Sequence, residues 1–241
     1  MIIHRIDRTS IPQPAKRTAV TVPAFKQNPL PCSKQKISAK RFLIEQFICR
    51  CVKRMQNSAF SKNPTIQKIE KELAKSGINA RFKNDPQLAE YVTGAIKILK
   101  EHNVEIPHNI LFAPSFLLKS GLAVWSETFP QKEAPIILSN KIYQNTSINT
   151  NLSSTHPYHT FFHETGHWLH FKNDFDPQKN YEIWQKNADL ERIKEAVSQR
   201  ATSYSDGSEF CAELFSGIIS GKHYPDDIML LAKTLKFPYE F

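Results

Sequence analysis

Phe161-Phe162-His163-Glu164-Thr165-Gly166-His167-Trp168-Leu169 sets two histidines four residues apart, with a glutamate between them and large apolar side chains on either side. Four residues is just over one helical turn, so on a helix His163 and His167 share a face and their imidazoles can meet at one point. Phe161, Phe162, Trp168 and Leu169 would bury such a helix in a core, and the spacing predicts a helix from Pro157 to about Lys172. Gly166 inside it costs about 1 kcal/mol relative to Ala, which a close-packing neighbour would explain. The pattern is a zinc signature. Neutral imidazoles suit Zn²⁺, and Glu164, turned to the same side, is placed to act as general base on a water that the metal acidifies. With nine His and 15 Glu among 241 residues, random placement yields about 0.02 such motifs.

A catalytic zinc needs a third protein ligand and an open position. The longer pattern HExxHxxGxxH is not met, because His170 stands at its glycine and Asn173 at its third histidine. His170 reads as a cap or surface residue, while His156 and His159 either line the cleft or, as the simpler reading, cap the start of the helix. Ser208-Glu209-Phe210-Cys211-Ala212-Glu213-Leu214-Phe215 is the better source. Glu209 and Glu213 lie one turn apart among Phe210, Leu214 and Phe215. Acids beside an apolar face are costly to bury unless they are paired or metal-bound. One of them ligating zinc and the other accepting a proton from a ligand histidine satisfies both. Spacing alone leaves open which does which.

Residues 163–167, the pair Ser203-Tyr204 and residues 209–215 together resemble the catalytic domain of anthrax lethal factor and related zincin-like bacterial toxins, effectors and phage-associated peptidases. The likeness spans roughly residues 155–220. It implies that Glu209 is the third zinc ligand, that Glu213 supports the site from behind, and that Tyr204 stabilises an oxyanion. It also implies a zincin-like fold, with a small sheet packed on the active-site helix and a helical C-terminal part, in which an edge strand holds an extended protein or peptide substrate. The expected activity is zinc-dependent endopeptidase, with Zn²⁺ as cofactor. The rival is a catalytically inactive zincin fold serving as a protein-binding module. Intact Glu164 argues against the rival, since such a module needs only the ligands.

The rest of the chain is consistent with an α+β domain over residues 61–241. Asn63-Pro64 and Asp85-Pro86 are helix starts. The first leads into Ile66, Ile69 and Leu73 and stops at Gly77, and the second runs to about His102. Ile110-Leu111-Phe112, Leu122-Ala123-Val124-Trp125 and Ile136-Ile137-Leu138 are short apolar runs bounded by turn residues, and read as strands. Residues 140–155 read as a polar loop. Further helices are predicted from Tyr181 to about Ser198, from a Ser208 cap to Gly217 or Gly221, and from Pro225-Asp226 onward. Helices, then strands, then helices is an α+β order.

Basicity is concentrated at one end. Residues 1–60 hold 12 Lys/Arg and two acids, a balance of +10, whereas the other 181 residues hold 20 basic and 21 acidic side chains. A near-neutral main domain argues against specific nucleic-acid binding as the principal role. Residues 1–36, with five prolines and no hydrophobic period, read as a disordered basic leader. Residues 37–57 read as a basic amphipathic helix carrying Leu43, Ile44, Phe47, Ile48, Cys51, Val52 and Met55 on its apolar side. Its expected place is docked on its own domain, and peripheral contact with a membrane surface is the other use of such a helix. No apolar run approaches the roughly 20 residues of a membrane span, and no signal-peptide h-region is seen. Cys32, Cys49, Cys51 and Cys211 have no CxxC spacing and read as free thiols. Given the resemblance, the leader suits a secreted bacterial effector or toxin delivered into a host cell by a specialised secretion system. Its composition also suits a transit peptide, and without delivery the chain is expected in the cytoplasm.

Overall fold

Asn63 and Asp85 open the first two helices as their Asx-Pro pairs predict. In the computed structural model, the side chain of Asn63 accepts from the Thr65 and Ile66 N–H groups ahead of α1 (Pro64–Lys75). That of Asp85 accepts from the Leu88 N–H ahead of α2 (Pro86–Glu101). Gly77, at φ +77°, closes the turn after α1. The structure describes residues 57–116, 134–144, 151–173 and 175–238, together with Phe47, Arg50, Cys51, residues 53–55, Leu118 and the backbone of 121–123. The expected leader 1–36, most of the apolar side of the 37–57 helix, Val124-Trp125 and residues 145–150 of the polar loop lie outside the described residues. Phe47, Arg50, Cys51 and residues 53–55 are helical. Cys51 and Met55 pack against the core, while Phe47 is exposed.

The sheet has four strands: β1 (Asn79–Ala80), β2 (Asn109–Ala113), β3 (Gly121–Ala123) and β4 (Ile136–Ser139), in the order β1-β2-β4-β3. β1, β2 and β4 run parallel, with Ile110 opposite Ile136, and β3 runs antiparallel to β4 at the edge. α2 makes the crossover that parallel β1 and β2 require. β1 was not expected; it is two residues long and exists only through its pairing with β2. A 3-10 turn, Ile142–Gln144, interrupts the expected polar loop.

The central helix is α3 (His159–Lys172), with 11 of its 14 residues buried. It lies against β3 and β4, and Trp168 Nε1 donates to Ala134 O at 3.0 Å. The single helix expected over 181–198 is instead two, α4 (Pro177–Asn187) and α5 (Leu190–Ala196). Asp176-Pro177 starts the first, Ala188 is extended, and Asp189 caps the second through the Arg192 N–H. A 3-10 turn, Arg200–Thr202, leads to α6 (Ser208–Ile219). Ser208 is the first residue of α6 rather than its cap; its N–H and hydroxyl both bind Asp206 Oδ1. α7 (Asp226–Thr234) follows.

α6, with 11 of 12 residues buried, is the main partner of α3. A Cβ on Gly166 would lie 2.9 Å from the Ala212 Cα and 3.1 Å from the Phe215 Cβ, so the two helices meet at their backbones. Phe161, Phe162, Trp168, Phe210, Leu214 and Phe215 form one core with Val92 and Leu99 of α2 and Ile110, Ile136 and Leu138 of the sheet. The architecture is α+β, as the element order implied. Among the described residues no helix is long and apolar enough to cross a membrane.

Candidate metal centre

The close α3–α6 contact carries a buried cluster of histidines and acids. His163 and His167, one turn apart on α3, bring their Nε2 atoms to 3.1 Å. Glu209, in the first turn of α6, reaches both: Oε1 lies 3.2 Å from His167 Nε2 and Oε2 lies 3.4 Å from His163 Nε2. Ligands about 2.0–2.1 Å from a tetrahedral zinc are separated by about 3.3–3.4 Å, close to these contacts, and one donor atom from each of the three residues lies within 4.8 Å of the others, near enough to share one ion. Two imidazoles and a carboxylate are also zinc's ordinary donor set.

Charge points the same way. With neutral imidazoles, Glu164, Glu209 and Glu213 against Arg200 leave the group at −2, which a dication would balance. Without a cation the acids draw a proton instead. Burial opposes charge on His163, but Glu209, Glu213 and Glu164 overcome it and push the imidazole up to about 9. Burial likewise resists the Glu209 carboxylate, yet the two histidines hold it far below the usual carboxylate range.

Glu213 stands behind the ligand histidines. Its Oε1 lies 2.8 Å from His163 Nδ1, off the N–H axis, and 3.2 Å from His159 Nε2. Its Oε2 accepts from the Ser153 N–H at 2.6 Å and the Ser198 hydroxyl at 2.9 Å. His159 Nδ1 is 2.7 Å from the Ser216 hydroxyl. His159, His163 and Glu213 are thus close enough for a second metal group, and Ser153, Ser198 and Ser216 hydrogen-bond Glu213 and His159 there. Arg200 adds a cation, with Nε 2.9 Å from Glu209 Oε2.

Comparison with protein-family models, curated proteins and solved structures found no match.

The structure brings His163, His167, Glu209 and Glu213 together. Glu164 is buried on the same helix and faces β3: a Cβ on Gly121 would overlap its Cγ, so the strand backbone approaches the acid only because residue 121 is glycine. Tyr204 is 61% exposed and shares no hydrogen bond or ion pair with the cluster among the described residues. His156 does not cap α3, which has no side-chain cap bond; its Nδ1 accepts from the Tyr158 N–H just ahead of the helix at 3.1 Å. His159 and His170 also depart from expectation. His159 is buried in the Glu213 network, and its spacing of four from His163, which continues the histidine stripe, was the available signal. His170 is neither cap nor surface residue. It is fully buried, its Nε2 lies 3.1 Å from Leu235 O, and burial pulls it down to about 4, so it is a neutral tie between α3 and the end of α7. Arg200, Ser153 and Ser198 had no helical spacing to mark them, whereas Ser216 continues the Glu209–Glu213 face three residues on. Cys51 and Cys211 are free thiols, while Cys32 and Cys49 lie outside the described residues.

Proposed function

We propose that this chain is a zinc-dependent endopeptidase of the zincin type, hydrolysing peptide bonds in a protein substrate. The observation that carries this reading is the convergence of His163 Nε2, His167 Nε2 and the Glu209 carboxylate at 3.1–3.4 Å, with Glu164 buried beside them. His163, His167 and Glu209 would hold Zn²⁺. When bound, the ion supplies the Lewis acidity that makes water nucleophilic near neutral pH.

Glu164 takes the proton from the attacking water and returns it to the leaving amine. The Glu213 carboxylate, 2.8 Å from His163 Nδ1, sets a negative charge behind that imidazole, on the side away from the other donors. β3, the antiparallel edge next to Glu164, suits an extended substrate bound by backbone hydrogen bonds. Tyr204, exposed and outside the cluster, would reach an oxyanion only by moving when substrate binds. The +10 balance of residues 1–60 supports a delivery leader, and with it the reading of the chain as a secreted bacterial effector or toxin.

The test uses full-length protein, with zinc measured by elemental analysis. New substrate N-termini are compared between wild type and Glu164→Gln. Wild type should hold about one zinc and generate cleavage products, and Glu164→Gln should keep the zinc and lose the products. A Gln variant with wild-type turnover, or a wild type that binds no zinc, would refute the proposal.

A further inference from the structure

The Glu209 carboxylate has a partner that no sequence spacing suggests. Arg200 places Nε 2.9 Å from Glu209 Oε2 and 3.9 Å from Glu213 Oε1. Its 3-10 turn is itself tied down. The Arg200 N–H donates to Asn151 O at 3.1 Å and the Ala201 N–H donates to Ser198 Oγ at 3.1 Å. The Ser198 hydroxyl in turn donates to Glu213 Oε2 at 2.9 Å. One short segment therefore reaches both acids of α6.

The side chain of Arg200 is 33% exposed, and an ion pair at that exposure adds little to stability. Its contact with Glu209 offers a different use. The terminal torsion of a glutamate is broad and roughly two-fold, so the side chain alone does not decide which oxygen points where. A guanidinium on Oε2, which also lies 3.4 Å from His163 Nε2, leaves Oε1 facing His167 Nε2 at 3.2 Å. The contact is through Nε alone, whose N–H direction is fixed in the guanidinium plane, so it holds direction as well as charge, which a rotating ammonium does not.

We propose that Arg200 is a positioning residue: by gripping Glu209 Oε2 it sets the rotation of the carboxylate that completes the metal-binding group with His163 and His167. This inference rests on the zinc reading above and makes a prediction of opposite sign to the simplest alternative. A positive charge beside a cation site repels the cation, so if charge were its only effect, removing Arg200 would tighten zinc binding. Positioning predicts weaker binding, by the 10–100-fold typical of a lost supporting contact to a ligand.

The experiment compares full-length wild type, Arg200→Gln and Arg200→Lys. Zinc affinity is measured by competition with a chelator, coordination by the visible absorption of the Co²⁺-substituted protein, and folding by thermal melts without metal. Arg200→Gln should raise the zinc dissociation constant about 10–100-fold and change the cobalt spectrum. Arg200→Lys, which keeps charge but not direction, should fall between it and wild type. Wild-type or tighter zinc binding in Arg200→Gln, with an unchanged cobalt spectrum, overturns the inference. If Arg200→Gln does not fold, Arg200→Lys decides, and wild-type affinity and spectrum in that variant overturn it. A wild type that takes up neither metal overturns the zinc reading and this inference together. Uptake by wild type matched by the variants overturns this inference alone.

Discussion

Gly166→Ala links the packing of the fold to the metal centre. The added Cβ would sit 2.9 Å from the Ala212 Cα, a backbone atom that no rotamer change can move. Ordinary carbon contacts begin at about 3.5 Å, so α3 and α6 must separate by about 0.6 Å. His163 and His167 ride on α3 and keep their mutual 3.1 Å spacing, but Glu209 rides on α6. The 3.2 Å between His167 Nε2 and Glu209 Oε1 would then open to about 3.8 Å, against a tolerance of about 0.2 Å for metal–ligand distances. On stability, Ala gains about 1 kcal/mol in helix propensity, and overpacking costs about 1–3 kcal/mol. The net expectation is a loss of up to about 2 kcal/mol in the metal-free protein, with a zinc dissociation constant raised at least about tenfold. Thermal melts without metal and chelator competition measure the two separately. An alanine variant as stable as wild type, with zinc affinity within about twofold of it, would show that the helix contact does not set the ligand spacing.

Zinc uptake should release protons. His163, pushed up to about 9 in the folded protein, carries a proton at pH 7 that a metal must displace. Affinity should therefore rise with pH, by up to about tenfold per unit, and level off near pH 9. Calorimetry in two buffers of different ionisation enthalpy reads the proton count, and zero release at pH 7 would contradict the prediction. For the metal-free fold the sign reverses. Stability from protonated His163 is fully present below its unfolded value of about 6.5 and is lost as pH rises through about 9, as pH-dependent melts would show. Glu209→Ala and Glu213→Ala should separate ligand from support. The first should weaken zinc far more, while the second leaves the buried Ser153 N–H unpaired and should destabilise the fold by about 1–3 kcal/mol, with added zinc rescuing it better. Chelator competition and melts on both variants check this, and the reverse order in zinc binding would make Glu213 the ligand.

What the sequence by itself determined is the set of features written within about one helical turn. Asn63-Pro64 and Asp85-Pro86 start helices because cap and first turn are chain neighbours. His163 and His167 share a face because they are four apart, and Glu209 and Glu213 do so for the same reason. Gly166 announced a close neighbour without naming it. Tertiary structure named Ala212 and Phe215, and it decided everything that joins distant parts of the chain. β1 exists only through a partner 30 residues on. The 181–198 segment breaks at Ala188, where Asp189 turns from a helical position into a cap. Ser153 and His159 reach Glu213 across 60 and 54 residues, and Gly121 makes room for Glu164 across 43. Arg200 is only nine residues from Glu209, but the intervening turn, and not a helical period, brings them together. His170 became a buried tie because the end of α7 came to lie over it. Local periodicity records which side chains can face one way, but burial and partners depend on which elements pack there, and that is a property of the whole chain.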